Sequence, residues 1–153
     1  MQLLNVSFGI FAFMPQGWLF MLLIILLESC VMSQVLLKQW LNNGIFTSAL
    51  ASNLASGIAG FVISMILTGG WWLVIWFPWV SSNEVNVHNP KAILGLVIYY
   101  FVALVLSVFI EWGLNHLILK KKFTARNILR ATLLANAASY LLGAVLITIL
   151  CLI

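Results

Sequence analysis

The chain has 153 residues, of which 64% are hydrophobic and 7% are charged, and its mean hydropathy is +1.16. Such a composition excludes a water-soluble globule because too few polar residues are available to cover its surface, so lipid is the expected solvent. The net charge of +4 comes mostly from two short basic stretches beside apolar runs, which indicates membrane topology rather than nucleic-acid binding.

Two apolar segments in the first half each have the length of a membrane span. Helix one is predicted from Gly17 to Leu37, and helix two from Ile45 past Ile66, where a Gly-Gly pair breaks the run. Each segment supplies the ~20 residues that a transmembrane helix needs.

A short Trp-rich segment and a polar loop follow the second helix. The segment is too short to span a bilayer, and its tryptophans favour an interfacial position. We expect these residues to contact lipid or a partner protein: Trp71, Trp72, Trp76 and Trp79. The polar loop over residues 81–90 is expected to face the outside.

The second half repeats the pattern of two spans joined by a basic loop. Helix three is predicted from Ile93 to Leu119 and helix four from Asn127 to Leu152. By the positive-inside rule both basic loops are cytoplasmic, so both termini lie outside. The fold class is therefore an all-α polytopic membrane protein with four transmembrane helices, divided into residues 1–70, 71–92 and 93–153.

The two halves are related by an internal repeat. When residues 28–67 are laid over residues 111–150 at an offset of 83, twelve of forty positions are identical. Composition alone would give identity at roughly a tenth of the positions, even in so apolar a chain. Because each unit holds two spans, the copies enter the membrane in the same direction, and a pseudo-two-fold axis along the membrane normal is expected.

Each repeat carries a Glu and an Asn inside the predicted bilayer. The glutamates lie nine or ten residues before a Lys, about 13 to 15 Å from the cytoplasmic boundary at the helical rise, and each Asn reaches a similar depth. A Glu–Asn hydrogen bond within each hairpin is therefore expected. With the nearby serines, the intramembrane polar set comprises Glu28, Asn53, Ser56, Glu111, Asn136 and Ser139.

Small residues recur at a spacing of four in the second helix of each repeat. Such ridges allow close helix packing and hydrogen bonding across the contact. The residues expected to pack in this way, besides the two serines already named, are Ser52, Gly60, Ala135 and Gly143.

Two interpretations of the polar set stay open. In the first, Glu, Asn and Ser form a structural clamp that holds each hairpin together. In the second, Glu28 and Glu111 line a shared axial site for a proton or cation, since ionisable residues in a span are functional candidates. Against coupled transport, the two repeats have no matching Gly/Pro break at the midplane.

The sequence predicts neither an enzyme nor a cofactor. It contains no Asp for a triad and no phosphate-binding Gly loop. Glu111 and His116 are five residues apart and so lie on different helix faces, which disfavours a metal site. A weaker alternative is a membrane enzyme or cofactor-binding protein whose site is the outer loop around Glu84 and His88.

The first hairpin, ESCVMSQVLLKQWLNN followed by SNLASGIAG, resembles that of the filament-integrity Fra proteins of cyanobacterial septa. The resemblance covers about forty residues, and the positions that carry it are Glu28, Val31, Leu36, Asn53, Ser56 and Gly60. It implies a non-enzymatic subunit of a cell-to-cell junction complex.

The function expected from the sequence is therefore that of a small integral subunit of the bacterial cytoplasmic membrane. Its expected partners are the lipid bilayer and other membrane subunits or itself, with no nucleic acid. A small proton- or cation-conducting protein that uses Glu28 and Glu111 is the alternative.

Overall fold

The computed structural model describes residues 15–67 and 90–152, and every described element is an α-helix. The helices are α1 (Pro15–Leu37), α2 (Asn43–Leu67), α3 (Pro90–Leu119) and α4 (Ala125–Leu152). The all-α prediction is confirmed, and each helix begins two or three residues before the position that hydropathy predicted. The Trp-rich segment lies outside the described residues, including the contact candidates Trp71, Trp72, Trp76 and Trp79.

Three helices contain stretches long and apolar enough to cross a membrane. These stretches are Leu19–Leu37 in α1, Tyr100–Leu119 in α3 and Ala125–Leu146 in α4, with 19, 20 and 22 residues. Such lengths match the hydrocarbon core of a bilayer. The chain is therefore a membrane protein. α2 has 25 residues, and its crossing of the membrane stays a prediction.

Both hairpins turn through five residues, and local capping explains where the helices end. α1 ends at Leu37, and the next residue, Lys38, adopts a positive φ of 59°. α2 begins after Asn42, whose Oδ1 accepts hydrogen bonds from the amides two and three residues later at 3.0 and 3.4 Å. Thr124 Oγ1 caps α4 in the same way, at 3.4 Å. The two turns lie at the same end of the bundle, since residues of both line one cavity.

Every helix packs against two others. α1 packs against α2 and α4, and α3 also packs against α2 and α4, so α1 and α3 lie diagonally in the described part of the chain. Each hairpin consequently shares two helix interfaces with the other hairpin.

The hydrophobic core occupies the half of the bundle nearest the turns. Three of its members are alanines, which let the helix backbones approach closely. The core residues are Met32, Ile45, Ala49, Leu119, Ile128, Ala131 and Ala135.

Large apolar side chains are exposed on the outer surface of all four helices. These exposed side chains include Leu23, Ile58, Phe101, Phe109 and Leu141, whereas several fully buried side chains are polar. This distribution suits a lipid environment, where apolar side chains need no burial and polar groups must find partners inside the bundle.

The small-residue ridges pack closely except at Gly60. Ser52, Ala135 and Gly143 are buried, and a Cβ at Gly143 would lie 2.7 Å from Tyr100 Oη. Gly60 is exposed, and no described atom lies within 4 Å of a Cβ placed there. No described side chain therefore packs on Gly60, and its expected packing role stays a prediction.

The close packing of alanines predicts a position-dependent effect of larger side chains. Ala135→Leu should lower the free energy of unfolding by about 1–3 kcal/mol because the core has no room for the added atoms. Ala137→Leu, the same change at an exposed position of α4, is the matched control and should be nearly neutral. Unfolding in mixed micelles measures both, and equal stabilities would contradict this packing.

Candidate functional site

Two carboxyl groups lie inside the bundle, on diagonally opposite helices. Glu28 of α1 is 2% exposed and Glu111 of α3 is 3% exposed. Their side chains are close enough to interact directly. The candidate site is therefore a carboxyl pair, the name used below for Glu28 and Glu111.

Glu28 accepts one hydrogen bond from each hairpin. Asn53 of α2, in the same hairpin, donates through Nδ2 to Oε2 at 2.7 Å. Ser139 of α4, in the other hairpin, donates through Oγ to Oε1 at 2.6 Å. The two oxygens of this carboxyl group are thus both hydrogen-bonded.

Glu111 has the same pattern of partners with the hairpins exchanged. Asn136 Nδ2 donates to its Oε2 at 2.7 Å, and Ser56 Oγ donates to its Oε1 at 2.9 Å. Each of these residues lies 83 positions from its counterpart around Glu28. The two carboxyl environments are therefore reciprocal.

The expected Glu–Asn hydrogen bond is present in both hairpins. The serine contacts differ from the sequence prediction, because Ser56 and Ser139 bind the carboxyl group of the other hairpin and not that of their own. A residue three positions further along a helix is turned by about 60° around its axis. The Asn therefore points to one neighbouring helix and the Ser to the next, and the clamp joins the two hairpins.

Backbone carbonyl groups fix the orientation of the two amides. Asn53 Nδ2 also donates to the carbonyl of Ala49 at 3.0 Å, and Asn136 Nδ2 donates to that of Thr132 at 3.1 Å. An amide nitrogen has two hydrogens, so each amide serves its own helix and a carboxyl group at once. This arrangement directs the amide nitrogens toward the carboxyl pair.

A second buried polar network, centred on Asn115, lies one turn closer to the hairpin turns. Its Oδ1 accepts from Ser48 Oγ at 2.7 Å, and its Nδ2 donates to Thr132 Oγ1 at 3.1 Å. The same Nδ2 lies 3.9 Å from the sulfur of Met32, which holds the position 83 residues earlier. The sequence prediction missed this network, although Asn115 lies four residues after Glu111 and so on the same helix face.

Hydroxyl groups connect α3 and α4 on the other side of Glu111. Tyr100 Oη donates to the carbonyl of Tyr140 at 2.6 Å, and the hydroxyls of Tyr140 and Ser107 lie 2.9 Å apart. The first hairpin has Gly57 at the position that matches Tyr140. The two halves thus share the carboxyl contacts but differ around them, which a sequence alignment at the offset of 83 could have indicated.

Positive charge lies far from the carboxyl pair. The Lys and Arg side chains that the structure describes are exposed, at the hairpin turns or, for Arg126 and Arg130, in the first two turns of α4. Along their helices, Lys38 and Lys120 are ten and nine residues from the glutamates, about 13 to 15 Å. Among the described residues no group of three or more His, Cys, Asp and Glu could hold a metal ion. The carboxyl pair is consequently served by neutral hydrogen-bond donors.

Comparison of the chain with protein-family models, curated proteins and solved structures gives no significant match.

Removing either amide should destabilise the bundle. Asn53→Ala and Asn136→Ala each leave a buried carboxyl oxygen without its donor, so each should lower the free energy of unfolding by about 1–3 kcal/mol. Asn127→Ala, at an exposed position, is the control and should have little effect. The free energy of unfolding in lipid bicelles is measured for the three variants. If Asn53→Ala or Asn136→Ala had as little effect as Asn127→Ala, the Asn–Glu hydrogen bond at that position would be refuted.

Proposed function

We propose that this chain is a non-enzymatic integral membrane subunit with four spans that assembles with itself or within a larger membrane complex. The observation that carries the proposal is the distribution of polarity. The carboxyl pair binds the Asn and Ser side chains of the bundle, and large apolar side chains are exposed on all four helices away from the hairpin turns. The described bundle therefore offers an apolar surface to a partner within the membrane.

The aqueous side of the described bundle supports the same proposal. Each hairpin turn has only five residues. A cavity of about 200 Å³ lies beside these turns, lined by residues that include Asn42, Lys122 and Phe123. It lies away from the carboxyl pair, so the buried acids do not face this cavity.

The proposed topology places both turns in the cytoplasm and both termini outside. Lys38 lies in the first turn, and Lys120, Lys121 and Lys122 lie in the second. Positive charge at one end of the bundle favours the cytoplasmic side for that end. The reciprocal contacts at an offset of 83 support a duplicated hairpin with a pseudo-two-fold axis along the membrane normal.

The proposed location is the bacterial cytoplasmic membrane. The resemblance of the first hairpin to the filament-integrity Fra proteins supports it and makes a cell-to-cell junction complex the first assembly to examine. Glu28, Asn53 and Ser56, three positions of that resemblance, all take part in the hydrogen bonds of the carboxyl pair. In such a subunit the carboxyl pair keeps the four helices together while their outer faces contact neighbours.

Photo-crosslinking in intact membranes tests the assembly proposal. A photoreactive residue is placed at one exposed position on each helix: Leu23, Ile58, Phe109 and Leu141. If a partner covers one side of the bundle, one or two positions should give a discrete protein crosslink. The other positions should give lipid adducts, so the four positions serve as controls for one another. Lipid adducts alone from all four, with only the 17.0 kDa monomer in native mass spectrometry, would contradict the proposal.

A further inference from the structure

We propose that Glu28 and Glu111 together form a buried proton-binding site, in which at least one of the two carboxyl groups carries a proton at neutral pH. This proposal goes beyond assembly in the membrane. It assigns a ligand, the proton, to the centre of the bundle.

The hydrogen-bond partners of the carboxyl pair carry no positive charge. Both carboxyl groups are almost fully buried and interact with each other, whereas their hydrogen-bond partners are two neutral amides and two neutral hydroxyls. Two negative charges side by side in such a setting have a prohibitive desolvation cost. A proton removes one charge and can be shared between the two groups, as in other carboxyl pairs.

The hydroxyl group of each serine lies within hydrogen-bond distance of two oxygens. Ser56 Oγ lies 2.9 Å from a carboxyl oxygen of Glu111 and 3.1 Å from the carbonyl oxygen of Asn53. Ser139 Oγ lies 2.6 Å from Glu28 and 3.0 Å from the carbonyl oxygen of Asn136. A hydroxyl has one hydrogen and two lone pairs, so it serves these two oxygens one at a time.

This geometry accommodates both protonation states without movement of the heavy atoms. When the carboxyl group is ionised, the serine donates to it. When the carboxyl group is protonated, its own O–H donates to the serine, and the serine hydrogen turns to the backbone carbonyl. When the proton binds, the Ser–Glu hydrogen bond therefore reverses its direction, and one hydrogen bond from the serine to the backbone carbonyl is added.

A buried acceptor without a donor lies beside Glu111. Asn136 is 1% exposed, and its Oδ1 has no hydrogen-bond partner among the described residues, although Nδ2 of the same amide donates to Glu111. Buried acceptors are normally paired, because an unpaired one raises the free energy of the folded state. If the amide turned so that Oδ1 faced Glu111, a proton on Oε2 of that carboxyl group would supply the donor.

The same contacts favour a proton over a metal cation. All four carboxyl oxygens face an N–H or O–H donor, and the amides present nitrogen to the carboxyl groups. A metal cation needs converging oxygen lone pairs instead. The donors would have to turn away before a cation could bind.

Infrared spectroscopy of the full-length protein in lipid vesicles tests the proposal. The chain contains three Glu and no Asp, so few carboxyl groups contribute to the spectrum. We expect the C=O stretch of a protonated carboxylic acid at pH 7, shifted by exchange into D₂O. This measurement needs no variant and so does not depend on how well a variant folds.

Variants assign the band. Glu28→Gln with Glu111→Gln should abolish it, because glutamine keeps an acceptor and a donor in place of the protonated group but has no carboxyl. Glu84→Gln is the control and should leave it unchanged. Carboxylate bands alone at pH 7 would overturn the proposal, as would a band that responds to Na⁺ or K⁺ at constant pH, which indicates a metal-cation site.

Discussion

The burial of two carboxyl groups in an apolar helical bundle is the constraint on which the rest of this structure depends. A carboxyl group that leaves water raises the free energy of the folded state unless hydrogen bonds or neutralisation compensate for the loss. Here each carboxyl oxygen receives one donor, and each carboxyl group receives donors from both hairpins. A separated pair of hairpins would leave carboxyl oxygens facing hydrocarbon, so these contacts select the arrangement in which every helix packs against two others.

This constraint also explains why the two halves can differ elsewhere. The Glu, Asn and Ser positions agree at the offset of 83, but Met32 is matched by Asn115 and Gly57 by Tyr140. Asn115 finds its own partners in Ser48 and Thr132, so the extra polar group is satisfied locally. The shared residues hold the bundle together, and the differing residues make one side of it more polar.

Hydropathy predicted the positions of the helices well because each apolar run borders a basic turn. The Glu–Asn contact followed from the helical rise alone. The direction of the serines could not be predicted in this way, because it depends on which helices become neighbours. The Asn115 network was missed for a related reason, since a single polar residue on a helix face does not reveal the partner across the bundle. Gly60 shows that a small-residue spacing alone does not identify a helix contact, since it is exposed and no described atom lies within 4 Å of a Cβ placed there.

Double-mutant cycles on unfolding in bicelles measure whether each carboxyl group is bound by the serine of the opposite hairpin. Glu28→Ala, which removes both carboxyl oxygens, is combined with Ser139→Ala in one cycle and with Ser56→Ala in a second. We expect a coupling energy of about 0.6–1.7 kcal/mol between Glu28 and Ser139, the size found for hydrogen bonds between membrane helices, and a smaller one with Ser56. Stronger coupling of Glu28 to Ser56, in its own hairpin, would contradict these contacts.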